Sequence, residues 1–199
     1  MRSLDETFKD LQQRLQHGRE LGGTGTDPIY YLVFPVDKIL EVKQKTTAWK
    51  NQLNLQTWNV VECSMHKLVR DIFANNAHRD LWFLGESGSL KASLMRKQGI
   101  QTRDITTTLT SALTESPELI ASIHRALDEA AALPHGLLLI TDLEALHPFL
   151  RINSVEAHLH GRVKCPVVVL YPGKREGRTS LRFLEFYPPD PNYRSEHLG

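Results

Sequence analysis

Three short apolar runs limit what this chain can become. Ile29-Tyr30-Tyr31-Leu32-Val33-Phe34, Leu137-Leu138-Leu139-Ile140-Thr141 and Val167-Val168-Val169-Leu170 show almost no alternation of apolar with polar residues. Runs of this length, rich in β-branched and aromatic residues, read as strands, and an unbroken apolar run means that both faces of the strand are covered. A strand covered on both faces belongs inside a mostly parallel sheet with helices packed on either side. Trp58 to Cys63 reads as a further strand, and Leu181 to Phe186 as a last one. The expected fold is therefore α/β: a single domain over residues 1–199, with a mostly parallel sheet of four or five strands flanked by helices in three layers. The pattern leaves the strand order open. It is compatible with the topology of phosphate-loop NTPases, without the loop.

The intervening segments carry helical signals. Ser3 followed three residues later by Glu6 is a capping box, and Leu4, Phe8, Leu11 and Leu15 then form one apolar stripe. Gly22, Gly23 and Gly25 follow, so residues 1–26 read as a helix and a glycine-rich connection. Asp37 to about Gln52 is rich in helix formers, with Ile39, Val42, Trp49 and Leu53 on its apolar side. Ser64 is placed to cap a helix whose stripe is Met65, Leu68, Val69, Ile72 and Phe73. Ser116-Pro117 marks another helix start, with Leu119, Ile120, Ile123 and Leu127 behind it. A helical stretch is expected from Val155 to His160. The stretch from Arg79 to Thr110 gives only weak signals, and residues 187–199, with three prolines, read as an extended tail.

Composition excludes several function classes. The formal net charge is +1, with 24 basic and 23 acidic residues, so no global field draws the chain to nucleic acid or anionic lipid. No apolar run approaches the roughly 20 residues of a membrane span, and the charged, periodic segment from Met1 to Glu20 is unlike a signal peptide. A cytoplasmic protein without membrane contact is expected. Cys63 and Cys165 show no metal-binding spacing, and the strand reading puts them at opposite edges of the sheet, which favours two buried free thiols over a disulfide.

Motifs for catalysis are weak. The Gly22-to-Thr26 cluster follows a helix and precedes a strand, the reverse of a phosphate loop, and there is no Gly-Lys-Ser/Thr triplet. Asp142, directly after an apolar strand, sits where nucleotide hydrolases hold Mg²⁺, but it is also well placed to cap the next turn. His147, His158 and His160 lack the i,i+4 clamp spacing of a helical metal site. There is no Gly-x-Ser-x-Gly elbow. Neither a cofactor nor a metal is expected, and the chain reads as something other than an enzyme.

Tyr171-Pro172-Gly173-Lys174-Arg175-Glu176-Gly177-Arg178 differs from these. It begins at a strand end and combines glycines, a proline and three cations, as a functional loop would. A hairpin turn with solvated charges accounts for it equally well.

This loop also carries a resemblance. Val168-Val169-Leu170-Tyr171-Pro172-Gly173, then Gly177, Leu181-Arg182-Phe183-Leu184 and Asn192-Tyr193-Arg194, resembles the C-terminal signature of the BrxB family of BREX bacteriophage-exclusion systems. Leu137 to Thr141, His147-Pro148-Phe149-Leu150-Arg151 and the start from Leu4 to Leu15 fit the same family, in which glycine is common where Asp142 stands. The resemblance implies a role in phage defence beside a DNA methyltransferase, an AAA+ ATPase and PglZ, a member of the alkaline-phosphatase superfamily. It transfers no catalytic residues, and it implies a non-catalytic adaptor that binds PglZ. The expected contact lies around Arg151, Tyr171, Lys174, Arg175, Tyr193 and Arg194, because arginine and tyrosine are enriched at binding hot spots. Two other readings remain: a nucleic-acid-binding subunit using the cations between Lys164 and Arg182, and an enzyme or degenerate nucleotide binder at the strand-end cleft near Asp142.

Overall fold

A strand buried at every position must have sheet neighbours on both sides and helices on both faces, and β1 (Ile29–Phe34) has all four. The computed structural model describes residues 2–20, 28–77, 79–80, 82, 102–115, 117–150, 152–159, 161–177, 180–189 and 195–199. In it β1 lies between β4 (Val167–Glu176) and β6 (Glu196–Leu198), parallel to both, with Ile29 opposite Val167 and Tyr30 opposite Glu196. β3 (Gly136–Thr141) lies parallel to β4 on its other side, and β2 (Asn59–Ser64) lies parallel to β3 at the edge. The order is β2-β3-β4-β1-β6, with β5 (Ser180–Phe183) pairing antiparallel with the outer half of β4.

Helices cover both faces. α1 (Leu4–Glu20) and α2 (Ile39–Leu55) lie on one side. There Phe8, Leu11, Leu15, Trp49 and Leu53 pack on Tyr30, Leu32, Phe34, Leu137, Leu139, Val168 and Leu170, and the Phe8 and Trp49 rings stack at 4.7 Å. α3 (Met65–Ala74), α4 (Thr102–Thr114), α5 (Glu118–Ala132) and α6 (Ile152–Leu159) cover the opposite face. There Met65, Leu113, Leu119, Ile123, Leu127 and Val155 meet Tyr31, Val33, Leu138, Ile140, Val167, Val169 and Tyr171. The two-residue alternation of a strand sends Tyr30 and Tyr31 into different halves of the core. A right-handed crossover must change face when it changes direction. α2, moving outward from β1 to β2, and α3 to α6, returning through β3 to β4, obey this.

The three-layer α/β fold agrees with the expectation, and particular elements differ. The sheet has six strands, not four or five. β4 does not stop at Leu170 but runs on through the supposed loop to Glu176, so the segment from Tyr171 is a β-hairpin arm. β5 ends at Phe183, and residues 184–186, expected to continue the strand, form a turn. The tail contributes β6. The Ser3–Glu6 capping box forms in both directions, at 3.2 and 2.8 Å, and Ser64 accepts from the Lys67 amide. Cys63 and Cys165 are both buried and free. Among the described residues no helix is long and apolar enough to cross a membrane.

Candidate functional site

Ligands of open α/β sheets bind outside the carboxyl ends of the strands, where loops with different partners converge. At this edge, three segments leave β1, β3 and the β4–β5 hairpin. Side chains tie each to the others. Glu185 Oε1 accepts the Val36 amide at 3.2 Å, joining the turn after β5 to the 3-10 turn Val36–Lys38. Lys43 Nζ, on α2, lies 2.6 Å from Glu144 and 3.3 Å from Asp142, in the segment after β3. His147 Nδ1 and the Tyr187 hydroxyl are 2.6 Å apart, closing the triangle.

Asp142 is the most heavily engaged group at this edge. Its Oδ2 accepts from Ser64 Oγ at 2.6 Å and from Thr141 Oγ1 at 3.0 Å, while Oδ1 faces Lys43. Burial works against its charge, but the Ser64 and Thr141 hydroxyls and the Lys43 ammonium outweigh burial and hold the carboxyl below its ordinary range. Burial likewise opposes the charge on Lys43, and Glu144 and Asp142 together raise it above the usual lysine value. The aspartate stands at the start of the 3-10 turn Leu143–Leu146 but makes no side-chain cap bond there, which corrects the capping expectation. Its backbone is left-handed, with φ 58°. A glycine would take that conformation without steric cost. The aspartate is held there by its three partners. The turn after β1, Pro35-Val36-Asp37-Lys38, contains no glycine to cradle a phosphate, and among the described residues no three His, Cys, Asp or Glu side chains converge on a metal position.

Of the residues singled out from sequence, the described ones, Tyr171, Lys174 and Arg175, stand in different surroundings. Arg151, Tyr193 and Arg194 lie outside the described residues. Tyr171 is fully buried at 0% exposure, with its ring 5.6 Å from those of Tyr31 and Phe183, so it supports the core and does not face a partner. The Tyr-Pro-Gly motif is explained by the hairpin. Tyr171 fills the core, Pro172 is the last residue opposite β1, and Gly173 lets the Arg182 carbonyl of β5 pass where a Cβ would collide. A β4–β5 arm crossing that closely demands glycine.

Arg175 is exposed but employed within the fold. Its Nη1 donates to the His197 carbonyl at 3.2 Å and its Nε to the Gly177 carbonyl at 3.1 Å, fastening β6 to the hairpin. Arg175→Ala is therefore expected to raise amide hydrogen exchange in β6 at least several-fold while leaving β1 and β3 unchanged, read by exchange mass spectrometry. Equal exchange in β6 would show that the guanidinium holds nothing. Arg182 is paired with Glu176 at 2.7 Å. Lys174, exposed on the arm, is the described member of the sequence-derived set not drawn into the fold in this way.

Sequence reasoning did not find the buried polar group beneath the tail. The Tyr31 hydroxyl donates to Glu156 Oε2 at 2.7 Å, Glu156 is 4% exposed, and the His197 ring sits edge-on to Tyr31 at 5.6 Å. A strand tyrosine, a helix glutamate and a tail histidine so far apart in sequence carry no local signal. Nor was Phe186 found, 62% exposed and packed 4.5 Å from the Tyr187 ring and 5.3 Å from that of His147.

A family model described as BREX protein BrxB matches residues 81–198, more than half of the chain. No curated protein and no solved structure matches it. The matched region holds β3, β4 with its hairpin, β5 and β6, which build most of the edge described above. The chain belongs to the BrxB family and is by that membership a component of a BREX phage-defence system.

Proposed function

We propose that this chain is a non-catalytic adaptor of its BREX system, acting in the cytoplasm and binding the PglZ-type component of the alkaline-phosphatase superfamily. The observation that carries this reading is the state of the carboxyl edge. The groups that could do chemistry there are already bonded within the fold, Asp142, Glu144, Lys43 and Ser64 among themselves and His147 to Tyr187, and they help brace three segments into a fixed surface. Catalysis needs a group poised toward a reacting atom, whereas docking gains from a surface that is already ordered. The nucleic-acid alternative is weakened by the hairpin cations, because Arg182 is spent on Glu176 and Arg175 on two carbonyls. Among the described cations of the hairpin, only Lys174 is left outside such bonds, which leaves little charge there to hold phosphate.

Size-exclusion chromatography of the chain, with and without the PglZ-type component, tests the reading. Co-elution in a complex that persists at moderate salt is expected. Separate elution at micromolar concentration would refute it. A gel shift of duplex DNA by the chain alone, vanishing steeply with salt, would favour the nucleic-acid reading.

A further inference from the structure

We propose that the docking surface is the braced platform at the carboxyl edge, with Leu40 and Phe186 as its apolar anchors, and that it takes a partner segment whose apolar residues are flanked by lysine or arginine. The proposal rests on the adaptor reading and adds where the partner sits and what chemistry it presents.

The platform consists of residues 36–44, 142–147 and 184–187, the three segments joined by the Val36–Glu185, Lys43–Glu144 and His147–Tyr187 contacts. Among the described residues, few large apolar side chains stand in solvent, and two of them are here, Leu40 at 73% and Phe186 at 62% exposure. They are not alike. Leu40 projects from the first turn of α2. Phe186 is a rigid aromatic, backed by Tyr187 and His147, and Tyr187 in turn stacks on Phe183 at 5.9 Å. An aromatic ring that loses little freedom on binding is the residue type that dominates interface energy.

Charge selects the occupant. The three segments carry Asp37, Glu41, Asp142, Glu144 and Glu185 against Lys38 and Lys43, an acidic excess in a chain that is otherwise balanced. Both lysines are already paired, Lys38 with Glu41 and Lys43 with Asp142 and Glu144. An acidic rim around apolar anchors attracts a basic, apolar segment and repels nucleic acid and acidic peptides. This sign is opposite to that of the Lys174–Arg178 hairpin sequence.

The test uses the full chain and the PglZ-type component, with affinity read by calorimetry. The double variant Leu40→Ser, Phe186→Ser should bind at least tenfold more weakly, with a melting temperature close to that of the parent because both side chains are exposed. The double variant Asp37→Lys, Glu41→Lys should bind several-fold more weakly at low salt, and the difference should shrink at high salt. Parent binding with both variants unaffected would overturn the platform while leaving the adaptor reading standing. Binding lost in Lys174→Glu but kept in Leu40→Ser, Phe186→Ser would move the contact to the hairpin and overturn it too. A parent that self-associates while Leu40→Ser, Phe186→Ser is monomeric would show that a second copy covers the patch. A parent that does not bind would sink both readings together.

Discussion

Tyr171→Ala is expected to cost about 3–5 kcal/mol of stability, the range for removing a large aromatic side chain from a packed core. The ring is fully buried where β4 leaves the parallel sheet and meets Tyr31 and Phe183, and neither neighbour can move into the space without breaking its own packing. For a chain of this size the melting temperature should fall by roughly 10 °C. Tyr171→Phe keeps the ring and its packing, so it is expected to cost far less than Tyr171→Ala. Urea denaturation followed by circular dichroism separates the two. A Tyr171→Ala protein as stable as the parent would show that the hairpin root is not part of the core. The result also bears on how binding data should be read. A Tyr171→Ala protein that fails to bind its partner would have failed through its fold, whereas Leu40 and Phe186 report on the surface.

Acid should destabilise the protein through His197. Burial, and then the neighbouring Arg175 charge, lower its pKa from 6.5 to about 4. Above pH 6.5 the imidazole is neutral in both folded and unfolded chains and contributes no pH dependence. Between pH 6.5 and 4 the unfolded chain takes up a proton that the folded chain refuses, so stability falls as pH falls. The full loss is about 3 kcal/mol, from a shift of this size at about 1.36 kcal/mol per unit. Because the ring lies on β6, protonation and release of that strand are coupled. Thermal melts of the parent and of His197→Gln across this range check the claim. The parent should lose stability steeply and the variant much less. Parallel curves would assign the acid sensitivity elsewhere. Asp142 works in a lower window. Its depressed carboxyl pKa contributes stability that is present above about pH 4 and is lost as the pH drops through its folded value.

The sheet interior was legible because β1, β3 and β4 are buried on both faces and their sequences state it without interruption. α1 and α3 were legible because hydroxyl caps at Ser3 and Ser64 precede clean apolar stripes. α4 was not, since its sequence Thr102–Thr114 is crowded with threonines, whose β-branching weakens the helical signal. β6 was hidden for a different reason. Three residues have no periodicity, and Glu196–Leu198 is a strand because β1 offers it an edge. β4 was read too short because a Pro-Gly pair ordinarily ends a strand. Here Pro172 falls where pairing with β1 stops, and the strand continues on β5 alone. At the functional edge, Arg175 and Tyr171 stood out by residue type, yet type does not disclose burial or internal bonding. Phe186 drew no notice within an apolar run, and only the turn after β5 places it in solvent.

The position of β1 has a kinetic consequence. Its neighbours on both sides, β4 and β6, come from the far end of the sequence, while β2 and β3 pair with each other earlier. As the chain emerges from the ribosome, β1 is therefore made more than a hundred residues before the strands that pair with it. Non-local pairing of this kind slows folding and leaves sticky intermediates exposed. Until translation delivers Val167, the nascent chain carries six apolar residues with no lateral mates, a period in which a chaperone has most to protect.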